Sequence, residues 1–312
     1  MKFNYLDLCN QKCPVCDGDL FSILNRNDRY FMRLVTVGCN ICGMIQTNPR
    51  PTEAGLVSFY KNDYRKFYQD VISPDQDYIN QHNKQERLQY TICFLKNLVS
   101  YLPAVSILDV GCSEGALFSA FRGDGFVGAL FGVELNQEFA SYAEKKSGAK
   151  VYPTLAALTE PCNLIVVNHV FEHLLKPCDF LENIKYLMKK DGFLYIDVPD
   201  ACEYRSLDDL HLAHIFHYTT RTLTRLVERC GFDVISCEKH NPPFHPKSIR
   251  LVAKKREVPG AVCTNSSPVT ELAAWSRVKR ISPIRRKFRI LVSRIPFAKR
   301  IYKVLNRFST TN

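Results

Sequence analysis

Residues 105–121, VSILDVGCSEGALFSAF, pass from a branched apolar run through two glycines into a helical pattern. A strand, a tight turn and a helix in that order cannot bury the strand's two faces alone. The unit therefore demands a sheet with helices packed against it. Further strands are expected in GALFGVE (128–134), NLIVVN (163–168), GFLYIDV (192–198) and FDVISCE (232–238). Asn136 is placed to cap NQEFASYAEKK up to Gly148, and Thr219 to cap TTRTLTRLVERC up to Gly231. Asp179 is read in the same way, capping DFLENIKYLMKK up to about Gly192. Strands separated by helices of this length make right-handed crossovers, so residues 104–255 predict an α/β, Rossmann-like doubly wound sheet, mostly parallel. FDVISCE and SIRLVAKK have no helix between them and predict an antiparallel hairpin at one edge.

The turn GCSEG has two chemical readings. Literally it is G-x-S-x-G, the elbow that presents Ser113 as the nucleophile of a hydrolase. That reading needs an oxyanion-hole loop upstream, whereas cysteine pairs and helical segments stand there. A cofactor reading uses more of the chain. Asp109 ends the first strand and Glu134 ends the next, where ribose hydroxyls need an acceptor. The dinucleotide fingerprint lacks its third glycine, and Gly115 is followed by Ala116 where a phosphate loop needs glycine and lysine further on. S-Adenosylmethionine carries an ammonium, a carboxylate, a sulfonium and a ribose but no phosphate, and the two acids suit it.

Two further regions precede that domain. Within residues 1–50, CPVC (Cys13, Cys16) and CNIC (Cys39, Cys42) are each followed within two residues by a glycine. Two such turns aim four thiolates at one point, so a zinc-ribbon module is expected, its Zn2+ structural because four cysteines leave no open position. Residues 51–103 read as a helical linker or cap, with Leu88, Ile92, Leu95, Leu98, Val99 and Leu102 at helical spacing and Tyr60, Tyr64 and Tyr68 one turn apart. The remaining cysteines of the 13 stand mostly alone in apolar segments, which suits a reducing cytoplasm. MKFNYLDLCNQKC has no apolar core of a signal peptide, so a cytoplasmic location is expected.

The net charge of +11 is unevenly placed. Twelve of the 42 Lys and Arg fall between Arg277 and Arg307, and the 30 left face 31 acids, so the body is nearly neutral. A nucleic-acid-binding catalytic face is not expected on that balance. Residues 256–312 form a linker and a basic tail, in which Ile284, Phe288, Leu291, Val292 and Ile295, then Phe297, Ile301, Val304, Leu305 and Phe308, mark two amphipathic helices. Such helices suit the inner face of an anionic membrane, or equally docking on the domain or on a second subunit.

ILDVGCSEGALF, GVELNQEFA, NLIVVNHVFEHLLKP and GFLYIDVP together resemble class I S-adenosylmethionine-dependent methyltransferases. With CPVC, CNICG, FYKNDYR and HLAHIFHYTTRTL, residues 1–255 resemble the zinc-knuckle methyltransferases of bacterial surface-polysaccharide and deoxysugar pathways. The resemblance implies a donor pocket of Asp109, Gly111, Ser113, Gly115 and Glu134, with Asn168 at the tip of the fourth strand counted among its residues. Ser113 stands where the family usually has a middle glycine. The acceptor implied is a sugar, sugar-nucleotide or related glycan intermediate, with Tyr60, Tyr64 and Arg65 walling its cleft. Histidine is the natural base near neutral pH, and the family pattern points to His214 and His173, with Glu172 in support. His211 and His217 read as framing residues; since HLAHIFHY reads as a loop, the three histidines 211, 214 and 217 are not expected to share a metal. NPPF (241–244) looks like an N-methylation clamp but falls in the edge hairpin and reads as its turn. An RNA methyltransferase and a degenerate, membrane-recruited scaffold are the alternative readings.

Overall fold

The computed structural model describes residues 8–28, 33–59, 74, 85–204 and 209–257. The tyrosine stripe at 60–68, Arg65 and the two basic helices expected within 277–308 lie outside the described residues. The N-terminal part contains β1 (Leu8–Cys9), β2 (Phe21–Asn27), β3 (Arg33–Cys39), β4 (Ile45–Thr47), β5 (Arg50–Pro51) and α1 (Glu53–Phe59). After α2 (Gln85–Leu95) come β6 (Ser106–Val110), α3 (Ala116–Gly123), β7 (Ala129–Val133), α4 (Gln137–Ser147), β8 (Lys150–Tyr152) and β9 (Cys162–Asn168). The chain continues through α5 (Pro177–Leu187), β10 (Met188–Pro199), β11 (Phe216–His217), α6 (Thr220–Arg229), β12 (Phe232–His240) and β13 (Ser248–Lys255).

Seven strands form the central sheet in the order β12-β13-β10-β9-β6-β7-β8. Only β13 runs against its neighbours, so the expected doubly wound sheet and its edge hairpin are both present. The chain travels outward from β6 through β7 to β8, then returns to the other side of β6 as β9. The carboxyl ends of β6 and β9 therefore flank the crevice where such sheets bind ligands. Alternation along the strands builds two apolar layers. Ile107, Leu164 and Val166 face Ile92, Leu95, Phe118 and Phe121 of α2 and α3. Leu108, Ile165 and Val167 face the other way, toward Leu181 and Ile184 of α5 and Leu223 and Leu226 of α6. Each of these fully buried aliphatic side chains contributes on the order of 2 kcal/mol.

Local signals hold at several ends. The Asn136 side chain accepts the N–H groups of Glu138 and Phe139, and Gly148 closes α4 in the left-handed region at φ 68. Thr219 and Thr222 form a reciprocal capping box at the start of α6. Two expectations are corrected. Asp179 lies in the first turn of α5 rather than at its cap, because Pro177 occupies a first-turn position where its missing N–H costs nothing. That helix ends at Leu187, and MKKDG belongs to β10, where Met188 pairs with Cys162 before a bulge. The helix expected through Leu102 stops at Leu95: Leu98 N–H turns back to the carbonyl of Leu95, and Pro103 disfavours helical backbone at Leu102. β8 is a strand without a matching sequence expectation.

The cysteine-bearing segment does not stand apart from this sheet. β11, from the HLAHIFHY stretch, pairs with β4 and completes a four-stranded sheet, β11-β4-β3-β2. Cys13, Cys39, Cys42 and Met44 share an apolar cluster with Leu223, Val227 and Cys230. Arg229 of α6 donates to the carbonyl of Val15 at 3.2 Å and pairs with Asp17. Among the described residues no helix is long and apolar enough to cross a membrane.

Candidate active site

The glycine-rich turn leaves β6 with three left-handed residues in five, Gly111 at φ 73, Ser113 at φ 52 and Gly115 at φ 74. At Gly115 a side chain is also excluded by contact, since a Cβ there would lie 2.8 Å from the Cβ of Ala143 on α4. At Gly111 an added Cβ would lie 2.6 Å from Cγ2 of Val170. These close approaches bring α4 and the loop after β9 against the turn. Asp109 is buried near the end of β6, and Glu134 follows the last residue of β7. Burial first, then the charges of Glu114 and Glu134, push the Asp109 carboxyl up to about 8. Glu114 is the residue that the sequence reading passed over. It is buried in the same turn, and its Oε2 has no hydrogen-bond partner. Three acidic side chains thus lie near one another at this turn, an arrangement that a cation beside them would relieve.

Across the crevice, β9 ends at Asn168 opposite Asp197 of β10. The expected residues Glu172, His173 and His214 do come together. Glu172 is 2% exposed, and its Oε1 lies 3.9 Å from Nε2 of both His173 and His214. The backbone holds these segments side by side, because Ile215 N–H donates to the Glu172 carbonyl at 2.9 Å. His211 packs against His214 with ring centroids 3.7 Å apart and the rings tilted by 46°. His217 is hydrogen-bonded to the Tyr204 hydroxyl at 3.1 Å, and burial pulls its pKa down to about 3. Residues 211–215 are a loop leading into β11, so the three histidines 211, 214 and 217 do not share a helical face. Residues 241–247, with NPPF, form the turn between β12 and β13.

Five further residues, without an assigned role in the sequence pattern, join this end of the sheet. His169, in the left-handed region at φ 53, puts Nδ1 3.5 Å from Glu172 Oε1 and Nε2 3.5 Å from Asp197 Oδ1. Asp197 also accepts from the Tyr195 hydroxyl at 2.9 Å and pairs with His240 at 3.1 Å. Burial opposes ionisation of Asp197, but the hydrogen bond from His240 and the charges of His169 and His240 outweigh it and hold its pKa below the usual range. His245 from the hairpin turn packs on His169 with centroids 4.0 Å apart, and burial drives its pKa far down. No local sequence signal marks these residues; only the carboxyl ends of β9, β10 and β12 gather them.

The cysteine cluster has the dimensions of a metal–thiolate site. The four Sγ atoms of Cys13, Cys16, Cys39 and Cys42 lie within 4.8 Å of one another, with edges of 3.4 Å for Cys13–Cys42 and 3.5 Å for Cys16–Cys39. A tetrahedron with metal–sulfur bonds of about 2.3 Å has edges of about 3.8 Å. Gly43 takes the left-handed position of the second knuckle, whereas Asp17, not Gly18, takes it in the first.

The methyltransferase-domain family model matches residues 57–237. Comparison with curated proteins gives no match. Among solved structures, the 1,6-didemethyltoxoflavin-N1-methyltransferase of Burkholderia thailandensis, with bound 1,6-didemethyltoxoflavin and S-adenosylhomocysteine, superposes with a TM-score of 0.51 at 14% identity. The match covers 69% of this chain and 96% of that one, and it supports the fold. The magnesium protoporphyrin IX methyltransferase of Synechocystis, with bound S-adenosylhomocysteine, gives 0.48 at 14% identity over 65% of this chain and all of its own.

Proposed function

We propose, from the premise that this chain belongs to the methyltransferase-domain family, that it moves a methyl group from S-adenosylmethionine to a sugar, sugar-nucleotide or related glycan intermediate. The observation that carries the donor assignment is the grouping of Asp109, Glu114 and Glu134 at the tips of β6 and β7. Such a grouping suits the ammonium, sulfonium and ribose of the donor, with Gly111, Ser113 and Gly115 letting the backbone pass close to it. We assign Asn168, at the end of β9, to the junction with the acceptor side. The donor is already activated, so the protein's task is in-line positioning and disposal of the acceptor's proton. We assign that second task to the group around Glu172, with His173 and His214 as its imidazoles. The four cysteines would hold a structural Zn2+, which fixes the knuckles that carry β11 and hence the His214 loop.

Calorimetry tests the donor site without knowledge of the acceptor. The full chain should bind S-adenosylmethionine, and Asp109→Ala should weaken it at least about tenfold, or about 1.4 kcal/mol. Equal affinity in the variant would show that the pocket is wrongly placed.

A further inference from the structure

We infer that Glu172, His173 and His214 bind a divalent transition-metal ion that takes up two neighbouring hydroxyls of the acceptor. This rests on the reading of the Glu172 group as the acceptor end of the site. Glu172 Oε1, His173 Nε2 and His214 Nε2 lie within 4.8 Å of one another, with the carboxylate oxygen 3.9 Å from each nitrogen. Bonds of about 2.1 Å at right or tetrahedral angles separate ligand atoms by about 3.0–3.5 Å, so contractions of about 0.4–0.9 Å on the two Glu172 edges, with the imidazole pair closing from within 4.8 Å, complete the site. His173 is already oriented as a ligand. Its Nδ1–H donates to the carbonyl of Ala213 at 2.7 Å, which turns the lone pair of Nε2 toward Glu172. Glu172 is buried and its Oε2 has no hydrogen-bond partner. A buried carboxylate in that state is costly without a cation. Two imidazoles and one carboxylate gathered on one side leave the remaining coordination positions open.

Open positions on a hard-to-soft borderline cation suit adjacent hydroxyls, which bind as a chelate, and a sugar ring presents such a pair. Coordination lowers the pKa of the bound hydroxyl. The bound hydroxyl would give up its proton to water. Its oxygen would then attack the methyl carbon; the new C–O bond forms as the C–S bond breaks, its electron pair staying on sulfur. S-Adenosylhomocysteine and the methyl ether leave. In this arrangement His173 and His214 act on the acceptor's proton through the cation.

Cobalt(II) titration of the dialysed full chain, followed by visible absorption and metal analysis, tests the site. Two ions per chain are expected: one with thiolate charge-transfer bands, from the cysteines, and one without. Glu172→Gln and His214→Gln should each weaken the second ion at least about tenfold and leave the thiolate bands intact. His214→Gln guards against misfolding at the buried Glu172. A single ion per chain in the wild type, or a second ion retained undiminished by both variants, overturns the inference. Calorimetry with S-adenosylmethionine on the same samples separates the two assignments: donor binding without a second ion removes only the cation. Loss of donor binding in the wild type would remove the methyl-transfer reading itself.

Discussion

Glu134 reaches from the tip of β7 to accept the backbone N–H of Ser113 at 3.2 Å, tying this acid to the glycine-rich turn. Its other oxygen accepts the N–H of Asn136 at 2.8 Å, so the carboxylate is fixed before any ligand arrives. Glu134→Ala removes both anchors. S-Adenosylmethionine affinity should fall by about 10- to 100-fold and the melting free energy by about 1–2 kcal/mol. Glu134→Gln keeps one acceptor oxygen and should lose less of both. Calorimetry and thermal melting read the two quantities separately.

Gly115 answers to two demands at once, a φ of 74 and the 2.8 Å approach to Ala143. Gly115→Ala should destabilise by about 2–3 kcal/mol, combining left-handed strain with overpacking. The double variant Gly115→Ala/Ala143→Gly should recover only part, because it removes the clash but not the backbone penalty. Full recovery in denaturant unfolding would show that contact alone matters.

Asp109 should make the proposed donor site pH-sensitive. Burial, then Glu114 and Glu134, raise its pKa to about 8. An acid whose folded pKa lies above its unfolded one stabilises the fold while protonated, and that contribution is lost as pH rises through about 8. Wild-type stability should therefore fall between about pH 4, near the unfolded pKa, and about pH 8, and Asp109→Asn should flatten the decline by about 1–3 kcal/mol. Affinity for the cationic donor should move the opposite way, tightening around pH 8 as the folded-state carboxylate ionises. A donor affinity independent of pH, with normal binding otherwise, would separate Asp109 from the ligand.

The cysteine cluster is predicted to stabilise more than its own knuckles. Cys13, Cys39 and Cys42 pack in one apolar cluster with Leu223 and Val227, and Arg229 clasps the first knuckle through Val15 and Asp17. Stripping metal with a strong chelator should lower the melting temperature by about 10 °C or more in a single transition. Two separate transitions would mean that the module folds independently of the sheet. Arg229→Ala alone should cost about 1 kcal/mol.

Some of this was legible along the chain because the cause is local. Asn136 caps α4 and Thr219 caps α6 because a side-chain oxygen meets an N–H two or three residues on. The turn at Gly111 and Gly115 and the paired cysteine knuckles were equally readable, for backbone conformations and ligand spacing are set by neighbouring residues. Even local reading failed where two signals competed, as at α5, where Pro177 took precedence over Asp179 and the chain entered β10 at Met188.

What the chain alone determined is the alternation that makes a parallel sheet and the glycine-rich turn at its first strand. Which polar groups meet at the sheet's carboxyl ends was decided only in three dimensions. His169 reaches Asp197, and Asp197 meets His240, through strand order and crossover rather than any spacing. Likewise, β11 follows the His214 loop to pair with β4 beside the cysteines. Hydrophobic periodicity specifies which face of each strand is buried, whereas the encounter of charged tips depends on how distant strands stack, which no short stretch of residues encodes.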